Sequence, residues 1–193
     1  MMDADCPPRL TLMRHAPTAW NRAGLVMGRT DVPLDAFGLD AAEAAARSLL
    51  MQSIRIDGIF CSPMTRCVQT ADAFERHFAL RVKMVPGLEE RSWGPFEGQP
   101  KGDRNRASNT TGVELLDEFR RRVIPALNWI AEQSNFPLIV THSGVIRAAF
   151  NESGEPLGSQ IAHLTPFGLL WAPDRNSRNL HSAVAGVDDR PML

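Results

Sequence analysis

Apolar residues in this chain come in short runs that stop on charged or imidazole side chains. Leu10 to Met13 leads into Arg14-His15, Gly58 to Cys61 leads into Ser62-Pro63 with Arg66 on the next turn, and Pro137 to Thr141 leads into His142. Runs of four or five residues are too short for amphipathic helices and predict buried strands. Between the first two lies Leu39 to Met51, alanine-rich and with good helix propensity, so the opening reads as strand, helix, strand, with Asp35 as the helix cap. If these strands are parallel, whatever follows them is delivered at their carboxyl ends into one crevice.

The pattern continues with a helix that Ser62 caps and Pro63 starts, whose apolar face is Cys67, Ala71, Phe74 and Phe78. From Arg81 to Arg106 seven glycines and prolines between Pro86 and Gly102 predict an irregular excursion that covers a site. A long amphipathic helix then carries Leu116, Phe119, Val123, Leu127 and Ile130 on one face, with Pro125 predicting a kink or a break. His142-Ser143-Gly144 opens a further helix through Phe150, and Phe167 to Trp171 reads as the last core strand. Residues after Pro173 carry no readable pattern.

Composition narrows the classes. A chain of 193 residues is one domain of ordinary size, 1–193 with its core at about 10–171, able to bury about 70% of its unfolded surface. With 21 basic and 22 acidic residues it has no global field for nucleic acid or an anionic membrane. Three cysteines, Cys6, Cys61 and Cys67, show no metal-ligand spacing and point to a reducing compartment. The start, MMDADCPPRL, lacks the basic end and apolar stretch of a signal peptide, and no run of about 18 apolar residues occurs. The expected location is the cytoplasm. A homodimer is compatible with the sequence.

Arg14, His15, Arg66 and His142 together want an anion. Arginine presents a fixed fork of donors that matches phosphate oxygens, and helix starts after Ser62 and His142 would add backbone N–H groups. An imidazole with a free ring nitrogen is a competent nucleophile toward phosphorus when cations neutralise the equatorial oxygens.

At these residues the chain resembles the histidine phosphatase superfamily, the phosphoglycerate mutase-like enzymes. The opening signature is Arg14-His15-Ala16 with Thr18, Trp20 and Asn21, followed by Gly28, Asp31, Pro33, Leu34 and Gly38. The third landmark is Ser62, Pro63, Arg66, Gln69, Thr70 and Ala71; the fourth is Leu88, Glu90, Gly94, Glu97 and Gly98; the fifth is His142, Gly144 and Arg147. The resemblance spans about Leu10 to Trp171. It implies an α/β fold, a three-layer α/β/α sandwich with a mostly parallel central sheet. It also implies His15 as the nucleophile that becomes phosphohistidine, Arg14, Asn21, Arg66 and His142 as phosphoryl-binding groups, and Glu90 as proton donor to the leaving oxygen. The catalytic set is thus His15, Glu90 and His142. No cofactor and no metal is implied.

Three alternatives stand beside hydrolysis of a small phosphorylated metabolite. Mutase-type transfer is disfavoured because only Gln99 to Gly112 separate the Glu97-Gly98 landmark from the next helix, where mutases carry a long insertion. A non-catalytic phospho-ligand binder would have no need of His15 and Glu90. A metal centre built on His15, His142 and Glu90 would be repelled by Arg14 and Arg66. Two departures from the family pattern predict backbone strain: Ala16 stands where glycine is usual, and Ser143 where glycine is common.

Overall fold

The computed structural model describes residues 9–102, 111–172 and 188–189. Its elements are β1 (Arg9–Arg14), α1 (Ala19–Arg22), α2 (Ala36–Met51), β2 (Gly58–Cys61), α3 (Thr65–Phe78), β3 (Val82–Met84), α4 (Leu116–Gln133), β4 (Pro137–Thr141), α5 (Ser143–Ser153), β5 (Pro166–Leu170) and β6 (Asp188–Asp189). One six-stranded sheet runs β5-β1-β4-β2-β3-β6. The four middle strands are parallel and the two edge strands antiparallel. The expectation of a mostly parallel sheet holds.

Successive strand residues point to opposite faces, so each strand contributes to two cores. Leu10, Leu12, Phe60 and Ile139 pack with Phe119, Val123, Leu127 and Ile130 of α4 and with Val145 and Ala149 of α5. Met13, Ile59, Cys61, Leu138 and Val140 pack with Ala42, Ala46 and Leu49 of α2 and with Cys67, Ala71 and Phe74 of α3. Those are the three layers.

Several local expectations change. Asp35 caps α2 by accepting from Gly38 N at 3.0 Å, but the helix starts at Ala36, not Leu39. Ser62 is not the cap of α3, which starts at Thr65; Asp31 takes that place, accepting from Thr65 N at 2.9 Å and from its hydroxyl at 2.6 Å. The Arg81 to Arg106 segment contains β3 and a 3-10 turn at Gly94–Phe96 in its described part. The helix of α4 runs through Pro125 without interruption, and Leu116, expected in its buried face, is exposed. The last core strand is Pro166–Leu170, one residue earlier than expected, and α5 continues past Phe150 to Ser153. Ala16 and Ser143 are not strained: among the described residues the non-glycine positions with positive φ are Ser53, Ala79 and Leu164.

Candidate active site

Three neighbouring strands end together. Arg14 of β1 sits opposite Thr141 of β4, and Cys61 of β2 opposite Val140, so His15, His142 and Ser62 leave the sheet side by side. His15 N extends the ladder by donating to Thr141 O at 2.9 Å. The imidazoles of His15 and His142 are buried with centroids 5.3 Å apart and planes at 64°. Both keep pKa values well below the usual histidine range, because burial disfavours the cation and Arg66 disfavours it further. Both are therefore neutral at pH 7.

Geometry also fixes the His15 tautomer. Its Nδ1 lies 2.7 Å from Ala16 O, which can only accept, so Nδ1 carries the proton and Nε2 keeps its lone pair. Ala16 is held in turn by Thr70 Oγ1, which accepts from Ala16 N at 3.0 Å and donates to Arg66 O at 2.7 Å. The Gln-Thr pair of the sequence landmark thus ties α3 to the loops around it: Gln69 Oε1 accepts from Leu34 N at 2.7 Å.

Arg66 is fully buried and braced from below. It donates through Nη1 to Thr30 O at 3.0 Å and through Nη2 to Gly28 O at 2.8 Å, while its Nε has no hydrogen-bond partner among the described residues. Glu97 shapes the loop that offers those carbonyls, accepting from Arg29 N at 3.0 Å and from Thr30 N at 2.8 Å. Gly28 adopts φ 55, and a side chain there would strike the Glu97 carboxylate. Burial pulls the Glu97 pKa upward, but the Thr30 hydroxyl and three backbone N–H groups outweigh it and hold Glu97 below the usual carboxylate range.

Arg14, His15, Asn21, Arg66, Glu90 and His142 line one cleft of about 390 Å³ that is open to solvent. Leu25, Val26, Met27, Trp93 and Lys101 share its wall. The structure separates the two adjacent glutamates. Glu89 turns away, accepting from Gly87 N at 2.8 Å and pairing with Arg122, whereas Glu90 lines the cleft with Oε2 3.1 Å from Gly144 N. Asn21 lines the cleft too, but its Oδ1 caps α1 by accepting from Thr18 N at 3.1 Å. Arg147 points to Ser159 O, outside the cleft.

One expectation is corrected. Free N–H groups were expected at the helix starts, facing an anion, but Gly144 N is satisfied by Glu90 and Thr65 N by Asp31. The positive charge of the cleft therefore rests on the two guanidinium groups.

Sequence reasoning missed two contributors. Ser62 Oγ lies 2.9 Å from His142 Nε2, although its Ser-Pro context reads as a helix cap. His163 stacks edge-on against His15 with centroids 5.4 Å apart and donates from Nδ1 to His15 O at 2.6 Å. No local pattern signals a partner 148 residues away. Residues beside His163 hold the end of β1 as well. Leu164 N donates to Arg14 O at 2.9 Å, and Arg14 Nη1 donates to Ile161 O at 2.9 Å.

Residues 10–163 match the histidine phosphatase superfamily (branch 1). The chain belongs to that superfamily. It is 30% identical over 205 aligned residues to the metal-independent phosphoserine phosphatase of Arabidopsis thaliana, covering 94% of this chain and 86% of that protein. It is 29% identical over 152 residues to the uncharacterized phosphatase PhoE of Bacillus subtilis, covering 75% and 78%. In fold it is similar to Bacillus stearothermophilus YhfR, with a TM-score of 0.70 at 20% identity over 82% of this chain and 88% of that one. Superfamily and relatives together support a phosphatase. Among the described residues no helix is long and apolar enough to cross a membrane.

Proposed function

We propose that this chain is a metal-independent phosphomonoester hydrolase that acts through phosphohistidine on a small phosphorylated metabolite. The observation that carries the reading is the state of His15: buried, neutral, Nδ1–H donated to Ala16 O, and Nε2 left with its lone pair in a cleft that holds Arg14 and Arg66. Nε2 forms the bond to phosphorus as the ester P–O bond breaks. Arg14 and Arg66 neutralise the equatorial oxygens, with Asn21 and His142 as further phosphoryl contacts. Glu90 gives its proton to the leaving oxygen, then takes one from the water that attacks phosphohistidine and releases inorganic phosphate and neutral His15.

The role of Glu90 rests on its separation from Glu89 and on its place in the cleft beside Ser143 and Gly144. Hydrolysis is favoured over mutase-type transfer by the short Gln99 to Gly112 segment, part of which lies outside the described residues.

The test is phosphate release from a panel of phosphorylated metabolites in excess EDTA, with wild type and His15→Ala. Activity is expected to persist in EDTA, vanish in the variant, and leave acid-labile phosphate on His15 in quenched wild type. Activity lost to EDTA and restored by a divalent ion would overturn the metal-free route; label on another residue would overturn the nucleophile.

A further inference from the structure

Arg122 of α4 lies outside the cleft, yet all five of its N–H donors serve the loop that presents Glu90. Nη1 donates to Gly87 O at 2.9 Å and to Glu89 O at 2.8 Å, and Nη2 donates to Glu90 O at 3.0 Å. The remaining donors meet Glu114, with Nε 2.7 Å from Oε1 and Nη2 2.9 Å from Oε2. Glu114 closes the frame from the other side, since its Oε2 accepts from Ser92 N at 3.0 Å and its carbonyl from Arg91 Nε at 2.7 Å. Burial pulls the Glu114 pKa upward, but its bond with Arg122 and the Ser92 N–H outweigh this and keep it a carboxylate. The loop cannot drift from the helix without breaking several of these bonds, and it approaches so closely that a side chain at Gly87 would meet Arg122 O at 2.7 Å.

We propose that Arg122 is a positioning residue for proton transfer to the leaving group, acting through the backbone of Gly87 to Glu90. The inference rests on the reading of Glu90 as proton donor. Arg122 fixes where the Glu90 main chain emerges, while Gly144 N and the Ser143 hydroxyl fix where its carboxyl group ends. A planar fork is needed: lysine keeps the charge but has three donors on one atom and cannot span three carbonyls and a carboxylate. Displacement of a reacting group by about 1 Å costs on the order of 10²-fold in rate.

The experiment measures the phosphoryl-transfer step by rapid quench for wild type, Arg122→Lys, Glu90→Gln and the double variant, on an alkyl phosphate and on p-nitrophenyl phosphate. Arg122→Lys is expected to lose about 10-fold or more on the alkyl ester with little change on p-nitrophenyl phosphate, whose leaving oxygen needs little protonation. The double variant is expected to match Glu90→Gln within about 2-fold, since both changes remove one interaction. Equal losses of Arg122→Lys on both substrates, or losses that multiply in the double variant, would overturn the assignment of Arg122. Glu90→Gln without leaving-group dependence would instead overturn the donor reading itself. If Arg122→Lys does not fold, Glu114→Gln, which removes the partner carboxylate, is expected to show the same leaving-group-selective loss; equal losses there would count against the proposal.

Discussion

Glu90 and Gly144 are bonded across the cleft: the carboxylate accepts from Gly144 N at 3.1 Å, at the first turn of α5. A Cβ built at Gly144 would land on the same carboxylate, with Phe119 Cζ next nearest at 3.3 Å. The glycine in this landmark therefore makes room for the carboxyl group and is not needed for a left-handed backbone, since Gly144 is helical.

Gly144→Ala is accordingly expected to displace Glu90 while leaving the helix intact. Alanine is the better helix former by about 1 kcal/mol, which offsets much of the local crowding, so thermal stability should change little. Hydrolysis of alkyl phosphates should fall about 10-fold or more, and of p-nitrophenyl phosphate far less. Steady-state rates on the two substrates beside a thermal melt would check it; a large drop in stability would mean that the backbone, not the carboxyl group, had moved.

Ser62 should behave differently because it acts on the other side of the phosphorus. Arg66 Nη2 lies 3.3 Å from His142 Nδ1 and can only donate, so in this arrangement His142 Nε2 holds the proton and gives it to Ser62 Oγ at 2.9 Å. Binding a phosphoryl oxygen at Nδ1 requires the opposite tautomer, and a hydroxyl permits it because it can donate to Nε2 as readily as accept. Cys67 Sγ, 3.4 Å from Nε2, is a weaker substitute, its thiol pushed up to about 12 by burial and so never a thiolate near neutrality. Ser62→Ala is therefore expected to lose about 10-fold, the worth of roughly one hydrogen bond, equally on alkyl and aryl phosphates. A leaving-group-dependent loss in kinetics would contradict this placement.

The contrast between Arg66 and Ser62 shows what sequence carries. Arg66 is legible because a cation one turn beyond a buried strand must find an anion, and strands end together in a parallel sheet. Ser62 misleads because Ser-Pro before a helical run is itself a strong cap signal; Asp31, 34 residues before Thr65, takes over that role by bonding it. Glu90 is legible as a residue but not as a constellation, since its neighbours Gly144 and Arg122 come from elements that only tertiary packing brings to it. His163 is invisible for the same reason: its partner is a main-chain carbonyl. The antiparallel edge strands also escape, as a short apolar run does not encode direction.

The three histidines of the site make a prediction about acid. His15 and His142 are held well below the usual pKa by burial and by Arg66, and His163 is lowered to about 4 by burial and by Arg14. In the unfolded chain each returns to about 6.5, so unfolding takes up protons at intermediate pH. Their neutral burial therefore leaves folding unpenalised above pH ~6.5, and stability is lost as the pH falls toward the folded pKa values. Each group contributes up to about 1.4 kcal/mol per pH unit inside its window, which for His163 runs from about 6.5 to about 4. The paired carboxylates, Glu97 and Glu114 among them, add losses mainly below pH ~4.5, so the range from about 6.5 to about 5 isolates the histidines. Denaturant unfolding across that range is expected to show stability falling with acid, and His163→Asn, whose amide can still donate to His15 O, to flatten the slope by about one proton. A slope unchanged by His163→Asn, or stability rising toward pH ~5, would show that His163 is not held neutral in the folded protein.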